Sequence, residues 1–205
     1  MASEIDKQEL QRQLAAATQG DEAGWEYVIN AYSHRVFCLI RSKCGDEELA
    51  EEITQSTFCT VAAKIGSYNE LGKFEAWLFR IAVNRLRDEM RRRQRQARPM
   101  ENEMIGILAG GTERPEEPGH VVLDEDLGRL REALTHLSGP DKEIIHMRHV
   151  AGLSFRQIAE VLDAPLGTVL ARRHRALAKL RKYMDSEAED QNPGEEGAIA
   201  PQEGR

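Results

Sequence analysis

Nothing in this 205-residue chain approaches the roughly 18 consecutive apolar residues that a membrane-spanning helix requires. The opening residues, MASEIDKQELQ, are polar and lack the basic-then-apolar order of a secretory signal, so the sequence predicts a cytoplasmic protein with no membrane insertion. Cysteine is scarce. Cys38, Cys44 and Cys59 are an odd number without a CxxC pair, which fits reduced thiols and not a disulfide framework. His34 and Cys38 share a helix face at i, i+4, but no second close-spaced pair completes a metal site, and ordinary packing is the favoured reading. Aromatic residues make up only 5% of the chain, which argues against one large aromatic core and for small helical units packed with Leu, Ile, Val and Ala. Paired carboxylates, a nucleophile–base pair and a metal-ligand set are all missing, so neither enzyme chemistry nor a cofactor is expected. Alternating apolar and polar runs long enough for a strand are missing too. The expected fold is all-α, in two small helical domains joined by a flexible linker.

What is present is charge, unevenly spread. The formal net charge is −7, which taken alone speaks against a nucleic-acid partner. Residues 185–205 carry seven acids and one base, whereas residues 80–98 hold eight arginines against Asp88 and Glu89, a net +6. Residues 166–184 add six bases and no acid, leaving −13 for the rest of the chain. Two concentrated basic segments on an acidic body are candidate electrostatic footprints for a polyanion.

Helical periodicity organises the first half. Asp21 is a cap for a helix over residues 21–44 with Trp25, Val28, Ile29, Tyr32, Val36 and Leu39 in one stripe, and Gly45 ends it. Asp46 starts a second helix to about residue 65, with Leu49, Ile53, Val61 and Ala62 on one side and Glu47, Glu48, Glu51 and Glu52 on the other. The loop GSYNELGK leads to a helix over residues 74–95. Its seam is Trp77, Leu78, Ile81, Ala82, Leu86 and Met90, while Arg80, Asn84, Arg87, Arg91 and Arg95 recur on another side. An arginine row is often a solvated face. Here almost no acid is interleaved, and self-repulsion of this kind is better tolerated when a polyanion neutralises it.

Residues 99–120 contain three Pro and four Gly and read as a linker. About 20 residues at ~3.5 Å each span up to ~70 Å, enough for the flanking domains to sit apart on one partner. The apolar patch Met104, Ile105, Ile107 and Leu108 within it is either a docking segment or a weakly ordered turn. Helices follow over residues 121–137 and 139–150, the second opened by Ser138 and Pro140. Ser154 and Gln157 form a capping box that starts a helix at Phe155. Ile158, Ala159 and Leu162 face inward, Pro165 closes a short turn, and another helix begins near Leu166. This is helix-turn-helix spacing, with the small Ala159 at the crossing and Val169 ten residues later. The second helix is expected to bury Val169, Ala176, Leu177 and Leu180 and to expose Thr168, Arg172, Arg175, Lys179 and Lys182. A generic helical hairpin has the same apolar spacing; the basic face is what favours DNA.

Three stretches resemble bacterial RNA polymerase sigma factors of the extracytoplasmic-function (ECF) group of the sigma-70 family. AEEITQSTF (50–58) is similar to the family's core-polymerase-binding segment, FEAWLFRIAVNRLRDEMRRR (74–93) to its melting and minus-ten segment, and GLSFRQIAEVLDAPLGTVLARRHRALAKLR (152–181) to its minus-35 helix-turn-helix. The resemblance runs over residues 14–184. It implies no catalysis, but promoter-specific delivery of polymerase. The implied division is a sigma-2-like domain (1–98), a linker (99–120), a sigma-4-like domain (121–184) and an acidic, disordered tail (185–205). Asp46, Glu51, Glu52 and Gln55 would meet the clamp coiled coil of core RNA polymerase, with the flap as a further contact; Ser56 stands where the family often has Glu. Tyr68, Asn69 and Lys73 fall in the loop that captures a flipped minus-ten base, and Asn84 with Arg80, Arg87 and Arg91 would line the single strand. Thr168, Arg172, His174, Arg175 and Lys179 would meet the minus-35 duplex, where Arg can read guanine bidentately. Leu170 and Ala171 depart from the pattern by being apolar, and Arg173 by being charged within the seam, from which it can snorkel. An anti-sigma factor is an implied candidate partner.

The residues themselves leave a second class open, a helix-turn-helix regulator that does not deliver polymerase, although it leaves the N-terminal helices unexplained. A purely structural adaptor requires both basic stripes to be accidental. The acidic tail is either a solubilising appendage, the simpler account, or a segment that folds back on the basic recognition helix.

Overall fold

The computed structural model describes residues 6–68, 72–97 and 121–190, with side chains at 97, 121–126 and 186–190 excepted. Asn69, the apolar linker patch and residues 191–205 lie outside it. Among the described residues the chain is all helix: α1 (Lys7–Thr18), α2 (Glu22–Cys44), α3 (Glu47–Lys64), α4 (Phe74–Ala97), α5 (Val121–Thr135), α6 (Gly139–His149), α7 (Phe155–Leu162) and α8 (Leu166–Asp190), with a 3₁₀ turn (Ile65–Ser67) after α3.

Local chemistry sets the ends. Asp21, Asp46 and Ser138 each accept a hydrogen bond from a first-turn amide, satisfying a donor that the helix itself cannot. Ser154 and Gln157 bond reciprocally, Gln157 N to Ser154 Oγ at 3.3 Å and Ser154 N to Gln157 Oε1 at 2.8 Å. Gly45 closes α2 at φ 72°, and Asp163, at φ 50°, makes the left-handed turn between α7 and α8. Helix α1 was not among the expected elements. Only Leu14 and Ala17 of this polar helix are fully buried, so its periodic signal is thin. It packs on α2 at Gly24, where a Cβ would lie 2.7 Å from the Ala17 amide nitrogen; any side chain there would push the helices apart.

Helices α1 to α4 pack around Val28, Tyr32, Val36, Leu39, Leu49, Val61, Leu78, Phe79, Ala82 and Val83, all at or near zero exposure. The same apolar cluster continues into the second half through Ile144, Met147, Leu153, Ile158, Val161 and Val169. A smaller cluster, Ala133, Leu137, Ile145, Ala176 and Leu180, joins α5, α6 and α8. Thus the two halves that the linker would allow to separate are packed together here, α7 on α4 and α6 on α2.

Some expected core positions are not core. Ile29 is 42% exposed because it lies one residue, about 100°, around α2 from buried Val28. Ala62 is exposed next to buried Val61 in the same way. Met90 (41%) sits one turn beyond Leu86 on the rim of a cleft between α2, α4 and α6, and Leu177 (38%) flanks the α8 seam. Helix α8 also runs six residues past the expected limit at Met184.

Candidate nucleic-acid and protein interfaces

Helix α3 presents Glu51, Glu52 and Gln55 to solvent, one to four residues apart, opposite its buried Leu49–Ile53–Val61 side. Asp46 differs from these three. It caps α3 through Leu49 N at 3.1 Å and pairs with Arg93 at 3.4 Å. The amide bond to Leu49 is the main cause holding its carboxyl below the usual range, with Arg93 adding to it. Both contacts tie the start of α3 into the fold. Ser56 and Thr60, a turn apart on α3, are both engaged by Arg85 of α4, whose Nε donates to Thr60 Oγ1 at 2.9 Å. Arg85 was not in the arginine row, and the short polar side chain at 56 gives it room.

Around the 66–73 loop an aromatic cluster forms. The Tyr68 ring stacks on Trp77 with centroids 4.6 Å apart and meets Phe74 edge-on at 5.9 Å, while Phe74 reaches Tyr32 at 5.6 Å. Tyr68 and Trp77 are half-buried, so part of the stack faces solvent. Lys73, Arg80, Asn84 and Arg91 are exposed and Arg87 is half-exposed. The row is nevertheless not bare. Arg80 Nε donates to the Glu160 carbonyl at 3.0 Å, Lys73 Nζ lies 3.1 Å from the Glu160 carboxylate, and Arg87 Nη2 lies 3.2 Å from that of Glu143. Both acids come from the second half of the chain. Arg91 makes only a loose contact with Asp88 at 3.9 Å.

On α8, Thr168, Arg172, Arg175 and Lys179 fall within one sector, Thr168 and Arg172 half-buried and the other two exposed. His174 is exposed but stands about 120° around the helix from Thr168, so it does not join that sector. Arg175 and Lys179 converge on Asp141 of α6. This carboxylate is 5% exposed and lies 3.4 Å from Lys179 Nζ and 4.0 Å from Arg175 Nη2. In sequence Asp141 reads only as a first-turn acid after Pro140. Its pairing depends on the α6–α8 crossing, which no local pattern signals. Arg173, the charged residue expected in the seam, lies over the Phe155 ring at 5.1 Å, and Arg148 approaches the same ring at 5.2 Å. The Arg173 guanidinium thereby sits on an aromatic face, and the residue as a whole is exposed, not part of the buried seam.

Between the halves, a cleft of about 500 Å³ is bordered by Lys43, Arg87, Met90, Lys142, Glu143 and His146. Burial, reinforced by Lys43 and Lys142, lowers the His146 pKa to about 4. His34 and Cys38 do meet, Nε2 to Sγ at 3.4 Å, but burial raises the Cys38 thiol, which disfavours the metal-binding thiolate. Among the described residues no group of three or more His, Cys, Asp or Glu side chains converges as a metal site, and no helix is long and apolar enough to cross a membrane.

Two family models match this architecture, Sigma-70 region 2 over residues 28–96 and Sigma-70 region 4 over residues 127–180. They fall on the α2–α4 unit and on the α5–α8 unit, so the fold is that of a sigma-70-type factor. The ECF RNA polymerase sigma factor SigE of Mycolicibacterium smegmatis is 32% identical over 169 residues, covering 80% of this chain; the chain spans 64% of that relative's length. The ECF RNA polymerase sigma factor SigW of Bacillus subtilis is 27% identical, with 85% of this chain and 96% of the relative covered. In fold, the chain is similar to CnrH in its complex with the cytosolic domain of CnrY, at a TM-score of 0.60 and 22% identity over 85% of this chain and 96% of that one. The chain belongs to the ECF group of the sigma-70 family.

Proposed function

We propose that this protein is a sigma factor that binds core RNA polymerase and directs promoter-specific initiation of transcription. The division of labour is a sigma-2-like unit up to residue 98 and a sigma-4-like unit over residues 121–184. The observation that carries the reading is the order of three surfaces along one chain: an exposed acidic stripe on α3, an aromatic and cationic surface on α4 beside it, and a basic recognition helix, α8. No helix-turn-helix regulator needs the first two.

In this reading Glu51, Glu52 and Gln55 dock on the clamp coiled coil of polymerase, and the second unit approaches the flap. The 66–73 loop and the Tyr68–Trp77 stack receive a base extruded from the minus-ten element. Extrusion costs a few kcal/mol, and a pocket that recovers this on one strand stabilises the melted state. Asn84 contacts that strand, while Lys73, Arg80, Arg87 and Arg91 neutralise its phosphates. Thr168, Arg172, Arg175 and Lys179 meet the minus-35 duplex, with His174 at the edge of the sector. Leu170, 42% exposed, offers thymine methyls an apolar contact. SigE and SigW, both named as ECF RNA polymerase sigma factors, support the polymerase partner; CnrH, seen with CnrY, and RpoE of Bartonella quintana, seen with the anti-sigma factor NepR, support an anti-sigma factor as a second one.

The test mixes purified protein with sigma-free core polymerase and promoter DNA. A polymerase complex and a promoter-dependent transcript are expected. Duplex binding without either would instead identify a helix-turn-helix regulator.

A further inference from the structure

Beside the apolar cluster that the two halves share, a set of polar contacts joins them and takes in several of the cations just assigned to DNA. Arg35 of α2 is their hub. Its Nε and Nη2 donate to the Ala151 carbonyl at 3.0 and 2.7 Å, and its Nη1 donates to Glu75 Oε1 at 2.8 Å. Gln157 of α7 donates to the other Glu75 oxygen at 2.5 Å. The Arg35 and Glu75 side chains are only 18% and 22% exposed, and the Arg35 guanidinium also lies over the Tyr32 and Phe79 rings at 5.3 and 5.5 Å. A charge pair so withdrawn from water adds little net stability, but it tolerates few geometries, so it fixes how α7 seats on α4. On either side of this hub Glu160 meets Lys73 and Arg80, and Glu143 meets Arg87 and Lys43, the last at 2.5 Å.

We propose that the sigma-4-like unit is a ligand in cis for the minus-ten surface: Glu143 and Glu160 occupy the cations that DNA phosphates would take, and the Arg35–Glu75–Gln157 contact latches this closed state in the free protein. The inference rests on reading α4 as the minus-ten surface. Three observations combine in it. The Glu160 and Glu143 carboxylates fall on Lys73 and Arg87, and the Glu160 main-chain carbonyl on Arg80, while Arg91 keeps only its loose contact with Asp88, so the cover is partial and aligned with the row. The latch residues belong to neither proposed DNA surface, so closure has its own determinants. The halves are one chain, which gives each an effective concentration in the millimolar range for the other and lets modest contacts hold the closed form. A strand entering the row must first displace two carboxylates. The free protein's apparent affinity is then reduced by the fraction of molecules that are open.

The test uses the full chain with Glu75→Gln and Gln157→Ala, singly and together; the second leaves net charge unchanged, and thermal unfolding checks that each variant is folded. Small-angle X-ray scattering reads closure, and fluorescence anisotropy with a single-stranded minus-ten oligonucleotide reads access. With about nine molecules in ten closed at rest, opening should raise oligonucleotide affinity about tenfold, together with a larger radius of gyration. A folded double variant with an unchanged radius refutes the latch. An enlarged radius with unchanged affinity refutes the claim that closure covers the DNA surface. Transcription with core polymerase separates this from the function itself: an inactive wild type would sink the sigma reading while the scattering result stood.

Discussion

Asp141→Asn should weaken the fold and strengthen indiscriminate DNA binding at once. Its carboxylate is 5% exposed and is approached by Lys179 at 3.4 Å and Arg175 at 4.0 Å, whose own side chains are 50% and 60% exposed. Ion pairs in water contribute at most ~1 kcal/mol, whereas breaking a fully buried pair costs ~3–5 kcal/mol. This one lies between, and both cations can turn to solvent once released, so the pairing loss is about 1 kcal/mol. The acid also sits in the first turn of α6, its amide 3.4 Å from Ser138 Oγ, where negative charge favours the helix by ~0.3–1 kcal/mol. Together the change should cost about 1–2 kcal/mol. On the DNA side two cations of the recognition sector gain freedom. Each added phosphate contact should steepen the slope of log K against log salt by ~0.9. Arg175, no longer held from behind, should lose part of the ~1–3 kcal/mol by which a bidentate contact separates right from wrong base. Denaturant unfolding, combined with salt-dependent anisotropy on matched and mismatched minus-35 duplexes, measures all three quantities. A stability loss with unchanged slope and discrimination would reduce Asp141 to a packing residue; unchanged stability would mean that the pairs carry no weight in solution.

Further expectations bear on other parts of the molecule. Asn84→Ala should impair open-complex formation more than core binding, and unchanged permanganate reactivity of the minus-ten thymines would count against its role. Phe79→Ala, at a side chain with zero exposure between α4 and the rest of the core, should cost about 3–5 kcal/mol in urea unfolding. His146 has its pKa lowered to about 4 against an ordinary 6.5, so the unfolded chain binds the proton more readily. Stability should therefore fall as pH drops from 6.5 towards 4, and His146→Gln should flatten that part of the profile. Arg175→Ala should abolish preference for one duplex while core binding persists; equal binding to all duplexes before and after the change would remove Arg175 as a base reader.

Much of the secondary structure was legible because it is written locally. The caps at Asp21, Asp46, Ser138 and Ser154 are set by residues within three positions of one another, and each does in the fold what its spacing predicts. Periodicity located the buried side of each helix but not its margins. Ile29, Met90 and Leu177 are apolar and near the seam, yet exposed, because burial depends on where the neighbouring helix ends. The surface residues of α3, α4 and α8 were also readable, since a basic or acidic row is visible at helical spacing. What those rows meet was not. Glu143 and Glu160 look like ordinary surface acids on amphipathic helices, and Arg35 like a polar break in an apolar stripe; only the packing of α7 on α4 and α6 on α2 gives them partners. Arg85 carries no such signal for a related reason: it lies off the row, and its partners Ser56 and Thr60 are more than 20 residues away.

The position of Glu143 has one more consequence. It is shared by Lys43 and Arg87, so, with α4 as the proposed minus-ten surface, the chain carries its own counterion at a site where DNA would otherwise shed one. When a strand arrives, the released carboxylates recruit cations from solution, which offsets part of the gain from ions leaving the DNA. Binding by the free protein should therefore respond to salt less steeply than its number of phosphate contacts implies. Moderate salt, by screening the half-exposed pairs first, would loosen the protein's grip on itself before it weakens the hold on DNA.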